Sequence, residues 1–180
     1  MDVTSIRASR DDLRIAYLAA LAIVIHVVEA SLPSPLPGIK PGMANVITVA
    51  VLFLYGLRTA VWVSLLRVLA GSVLIGSFLS PTFVMSLSGA VAALGALALG
   101  RGIPRLGPVG YSVLASMAHM ATQFTVAFLL FIPHQALWRL FPVFMSAAVG
   151  FGLVNGIIAL VMLRKIPSSV LEKMQADRLA

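Results

Sequence analysis

The sequence contains no cysteine, which excludes disulfides and thiolate metal sites. Charge is scarce: 11% of the 180 residues are charged, where a soluble domain carries roughly a quarter. Acids are scarcer still. Of six, Asp2, Asp11, Asp12, Glu172 and Asp177 lie in the two terminal tails, and only Glu29 lies in the body of the chain. Three scattered histidines make no zinc motif. No G-x-x-x-x-G-K-S/T run exists to hold a nucleotide. The net charge of +7 does not point to nucleic acid, because the basic residues form no stripe with stacking aromatics.

What the chain has is hydrocarbon. Six apolar stretches cover Ile15–Leu32, Met43–Leu57, Thr59–Phe78, Thr82–Gly100, Val109–Ile132 and Leu140–Leu163. A membrane span needs roughly 20 mainly apolar residues. Five stretches suffice, and the second, at fifteen residues, reaches that length only with help from Lys40–Ala44. Only helices close every backbone hydrogen bond within a lipid-exposed segment, and no stretch alternates like a barrel strand. The expectation is an all-α integral membrane protein, a six-helix bundle over residues 15–163, with a short segment 1–14 before it and a tail 164–180 behind it.

The basic residues set the orientation. With the N-terminus inside, ten fall in inner segments (Arg7, Arg10, Arg14, Arg58, Arg101, Arg105, Arg164, Lys165, Lys173 and Arg178), while the outer loops hold only Lys40 and Arg139. That is the positive-inside pattern for six spans with both termini cytoplasmic. The tail places Val170, Leu171, Met174 and Leu179 among charges, as an amphipathic helix on the inner surface or a frayed end would.

Polar side chains inside a membrane are expensive and need a reason. Glu29 lies near the outer end of the first stretch, with His26 three residues earlier on nearly the same face. Arg67 lies mid-way along the third, too deep to snorkel easily. His119 and Gln123 are an i, i+4 pair in the fifth. Asn45 opens the second, Ser86 lies in the outer half of the fourth, and Asn155 sits inside Gly152-x-x-x-Gly156 in the sixth. Each has a plainer reading. Asn155 can be packing glue between helices, Ser86 can bond back to its own helix, and Arg67 can be a structural partner of Glu29. By depth, however, Glu29, Lys40, Asn45 and Ser86 are outer and Arg67, His119 and Gln123 central. The inner half has no counterpart. That lopsidedness implies a cavity open to the outside, not a pore. The proline-rich connection 33–42 is either its lid, with Gly38 and Gly42 permitting turns, or a stiff outer turn.

The stretch from Pro37 to Val91 resembles the Gx transporter family, also labelled heptaprenyl diphosphate synthase component I. The shared pattern is Glu29, Pro33, Pro37–Asn45, Leu65–Gly71, Ser80–Phe83, Ser86–Gly89 and Ala118–Gln123. Two departures are Pro41, where the family has leucine, and Met120, where it has asparagine. The family is similar to the substrate-binding S components of energy-coupling factor (ECF) transporters of the bacterial cytoplasmic membrane. The resemblance implies capture of a small solute from outside, with Glu29, Lys40, Asn45, Arg67, Ser86, His119 and Gln123 as binding residues. It also implies a coupling membrane subunit docked on Ala16-x-x-x-Ala20 and two ATPase subunits, with no cofactor or metal in this chain. A net basic central group suits an anionic or zwitterionic molecule, and apolar walls would hold a ring or isoprenoid portion. Two other readings stand beside it. One is an accessory subunit in prenyl diphosphate synthesis, where catalysis by this chain alone would need aspartate clusters for magnesium and finds only Asp11-Asp12. The other is a scaffold in an electron-transfer or lipid-modifying complex, with structural polar groups and no tight ligand.

Overall fold

The computed structural model describes residues 9–31, 42 and 44–167. Lys40, the rest of the proline-rich connection before Gly42, and the amphipathic tail from residue 168 lie outside the described residues. Those described form helices α1 (Arg10–Ser31), α2 (Ala44–Tyr55), α3 (Leu57–Ile75), α4 (Pro81–Gly100), α5 (Pro108–Val126) and α6 (Phe141–Arg164). A π-helical turn, Ala127–Phe131, extends α5, and a 3₁₀ segment, Gln135–Leu140, leads into α6.

Local chemistry sets several of the ends. Ser9 Oγ accepts from the Asp11 and Asp12 N–H groups at 3.1 and 3.4 Å, and Asp12 returns a bond to the Ser9 N–H at 2.9 Å. This reciprocal cap starts α1 five residues before the apolar run does. Ser80 caps α4 by accepting from Phe83 N–H, with Pro81 in the first turn, where its missing N–H costs nothing. Gly56, at φ 87, makes the one-residue break between α2 and α3, a conformation that side chains with a Cβ resist.

Five helical segments are long and apolar enough to cross a membrane: Arg10–Ser31, Leu57–Ile75, Pro81–Gly100, Pro108–Phe131 and Gln135–Arg164. The second stretch, expected as a sixth span, forms a helix of only 12 residues. At ~1.5 Å per residue that is about 18 Å, against a hydrocarbon core of ~30 Å. Its position differs from that of the others. Val46 through Leu52 are all buried, so α2 is covered on every side up to Phe53, which is exposed near its end. An apolar helix without a polar face belongs in such a place. It touches α1, α3, α5 and α6, while α5 packs on α4 and α6 and α1 packs on α3. The outer helices turn Leu13, Tyr17, Val24, Leu74, Leu99, Leu129 and Val143 outward. That much exposed hydrocarbon suits lipid and not water.

Candidate functional site

Glu29, Asn45, Arg67 and Asn155, four of the polar residues picked out of the apolar stretches, converge where the C-terminal parts of α1 and α3 meet the start of α2. Gly42 is the junction. Its N–H donates to Glu29 Oε1 on α1. Its carbonyl accepts from the Asn45 N–H at 2.8 Å and from Asn155 Nδ2 on α6 at 3.3 Å. One backbone unit is therefore held by α1, α2 and α6. Its φ of +67 is the left-handed region that glycine enters freely.

Arg67 approaches the same place from α3. Its Nη2 donates to Asn45 Oδ1 at 3.3 Å, and its charge lies within electrostatic range of Glu29. Arg67 and Glu29 are each only 5% exposed, and Asn155 2%. A buried cation, a buried carboxylate and two amides thus form one network, as polar groups removed from water must. The network is not closed. Arg67 Nε has no hydrogen-bond partner among the described residues, and neither has His119 Nδ1. The His119 ring lies within electrostatic range of the Arg67 charge.

Glycines make this convergence possible, and they explain motifs that look arbitrary in the sequence. At Gly71, a Cβ would stand 2.7 Å from the His26 ring. At Gly89 it would stand 2.9 Å from both His119 and Gln123. The glycines of L-L-R-x-L-x-G and S-L-x-G are therefore seats for polar side chains of α1 and α5. Gly152 and Gly156 do something else. Their missing Cβ atoms let the α5 backbone approach, with Val113 Cα and Val109 Cα at 2.8 and 2.6 Å from where a Cβ would be. Asn155 lies between them, so its stretch holds two helices together while its amide holds Gly42.

Of the residues named from the sequence, Glu29, Asn45 and Arg67 are brought together, and His119 and Gln123 share the seat at Gly89. Ser86 is half-buried on α4, one turn before that glycine. Lys40 lies outside the described residues. Ala16 and Ala20 are exposed on the outer surface of α1. Asn155 is the member that the sequence did not mark as a site residue, together with Thr48 and Ser64. These two, with Asn45, line a cavity of about 10 Å³ closed by Ala93, Leu94 and Leu97. Such a space holds about one water molecule.

The fold is thus a helical bundle of membrane type with a buried, charged, incompletely satisfied network near one end. The family model described as heptaprenyl diphosphate synthase component I matches residues 18–162. The chain belongs to that family. No curated protein and no solved structure matches it.

Proposed function

We propose that this chain is the solute-capturing membrane component of an ECF-type transporter, with both termini in the cytoplasm and α2 counted as a sixth, buried membrane segment. The observation that carries the reading is the open valence of the network. Arg67 is buried and hydrogen-bonded to Asn45, yet leaves Nε without a partner among the described residues, and the His119 ring presents an Nδ1 equally unpartnered among them. An arginine N–H in a dry setting recognises a carboxylate or phosphate oxygen strongly, and the His119 Nδ1, whose ring already bonds the Gly89 backbone, accepts from a neutral donor of the same molecule. The solute is therefore a small anionic or zwitterionic molecule with an apolar portion. Arg67 engages its anionic group, His119, Gln123 and Ser86 its neutral polar atoms, and Glu29 and Lys40 its outward side. A drug-sized molecule needs ~300 Å³ or more, whereas the space beside Asn45 is about 10 Å³. Binding in this reading is therefore coupled to a movement that opens the bundle.

Energy for uptake comes from other chains, a coupling membrane subunit seated against Ala16 and Ala20 and two ATPase subunits. The family description supports a second reading, a non-catalytic membrane component beside the catalytic component of a prenyl diphosphate synthase. In either case Asp11 and Asp12 are already engaged, Asp11 with Arg14 at 3.3 Å and Asp12 in the helix cap.

The test is unbiased identification of the molecules and proteins that co-purify with the chain from its native membrane. The transporter reading expects one anionic or zwitterionic solute, retained by the wild type and lost in Arg67→Ala and His119→Ala, and ATPase subunits in the complex. Unchanged retention in both variants removes the site. Co-purification of a prenyl synthase in place of ATPases selects the second reading.

A further inference from the structure

At the other end of the bundle, roughly 12 Å from Asn45 along α2, a second cavity of about 150 Å³ lies among Leu52, Phe53, Leu57, Arg101 and Tyr111. It is far larger than the ~10–15 Å³ that one water requires. We propose that this cavity binds a phosphorylated amphiphile, with its phosphate on Arg101 and Tyr111 and its hydrocarbon along Leu52, Phe53 and Leu57. The inference is independent of the solute-capture reading.

The site is built rather than incidental. Tyr111 is nine-tenths buried. Its ring is fixed on one side by Phe53, edge to face at 5.4 Å, and on the other by Gly100, where a Cβ would stand 2.9 Å from the ring. No hydrogen bond or ion pair ties its hydroxyl or the Arg101 guanidinium to another described residue. A phosphate oxygen accepts from both kinds of donor, and arginine matches it with two parallel N–H groups. The first turn of α3 borders the cavity at Leu57, and its N–H groups are capped by no side chain among the described residues. That end of the helix dipole favours an anion as well.

The surroundings select an amphiphile over a free ion. Phe53 is both part of the wall and 38% exposed, so the cavity continues onto the outer, apolar surface of the bundle. Arginine and tyrosine sit at the end of apolar segments, the level of headgroups in a bilayer. Positive charge is concentrated at this end: Arg14, Arg58, Arg105, Arg164 and Lys165 occupy the ends or connections of helices there. Arg14 lies over the Tyr55 ring at 4.9 Å, and the acids nearby are engaged by Arg14 and the α1 cap. Two sources share the required chemistry, an anionic bilayer phospholipid and a polyprenyl diphosphate.

Delipidated full-length protein in detergent, examined by native mass spectrometry with three added probes, decides the matter. Phosphatidylglycerol represents the bilayer, farnesyl diphosphate the free diphosphate, and diacylglycerol the same hydrocarbon without phosphate. At least one phosphorylated probe is expected to bind at least ten-fold tighter than diacylglycerol. Arg101→Gln is expected to weaken it about ten-fold and Tyr111→Phe several-fold. Leu57→Trp, which fills the cavity, is expected to abolish it. Tighter phosphatidylglycerol supports a lipid site and tighter farnesyl diphosphate a diphosphate site. Equal binding of diacylglycerol, or binding unchanged in Arg101→Gln and Leu57→Trp, overturns the proposal. Arg101 and Leu57 lie outside the Arg67–His119 group, so failure here leaves solute capture untouched.

Discussion

Glu29, the one carboxylate within the membrane body, accepts the backbone N–H of Gly42, thirteen residues on in the chain. The bond fastens the end of α1 to the residue from which α2 is launched. A buried donor deprived of its acceptor costs about 1–3 kcal/mol, more when a charge is left behind. Glu29→Ala removes the acceptor and leaves Arg67 without its nearby negative charge. Its melting temperature in detergent should fall clearly below that of the wild type. Glu29→Gln keeps an acceptor oxygen and should lie between the two.

Gly42→Ala tests the same junction from the other side. At φ +67 the alanine Cβ meets its own backbone, at a cost of about 1–2 kcal/mol. The space around it is ordinary, with Asn45 Nδ2 3.5 Å from a Cβ, so strain and not collision is the cause. A D-alanine at this position, introduced by semisynthesis, should restore stability, which crowding would not allow.

Glycines on α4 and α6 should separate into two kinds. In Gly156→Ala the new methyl would stand 2.6 Å from the Val109 Cα, a backbone atom that moves only if α5 moves. Overpacking of this sort costs about 1–3 kcal/mol. Gly95→Ala adds a methyl with nothing within 4 Å, in the middle of α4. There the gain in helix propensity, about 0.5–1 kcal/mol, should raise the melting temperature.

The helices were legible because hydrocarbon runs are long and unambiguous. Five of the six expected stretches became helices with ends within a few residues of the apolar limits. The exception, α1, starts earlier because Ser9 and Asp12 cap it, a polar signal that hydropathy overlooks. The second stretch is shorter than a span, since Gly56 ends it and burial on all sides removes any need to reach both membrane surfaces. Glu29, Asn45 and Arg67 were each legible as needing a partner because polarity in an apolar segment demands one, but the sequence set Arg67 at a central level apart from Glu29 and Asn45, and the structure joins the two levels. What the partners were was not legible. Glu29 and Asn155 both reach a backbone group, at Gly42, and every residue offers the same backbone groups, so no side chain announces them. Asn155 was hidden further by its glycines, which fully account for packing and leave its amide unexplained. The seats of His26 at Gly71 and of His119 at Gly89 join helices far apart in the chain, and a single sequence carries no record of that pairing.

Gly89→Val distinguishes a seat from a packing contact. The nearest atoms, Cε1 and Nε2 of His119 and Cγ of Gln123, belong to side chains that can swing aside and not to backbone as at Gly156, so the fold should lose little stability. The imidazole, however, would leave its place beside Arg67. On the capture reading, solute retention should fall about as far as in His119→Ala, with the melting temperature almost unchanged. Retention equal to wild type would separate His119 from the binding residues.

The outer face of α1 offers the last prediction. Ala16 and Ala20 lie one turn apart, both exposed, with the large side chains Leu13, Tyr17, Leu21 and Val24 around them. Against lipid alone, enlarging the two alanines is inconsequential, because hydrocarbon tails rearrange around any apolar shape. Against another helix it is not, since close approach depends on small residues at the contact. On the capture reading, with a coupling subunit docked on this face, the double variant Ala16→Leu, Ala20→Leu should therefore fold with wild-type stability and retain the solute. It should nevertheless fail to hold a coupling subunit in pull-downs from membranes and fail to support uptake. Normal assembly in that variant would move the partner to a different face of the bundle, and combined loss of fold and assembly would show that α1 meets its own neighbours there.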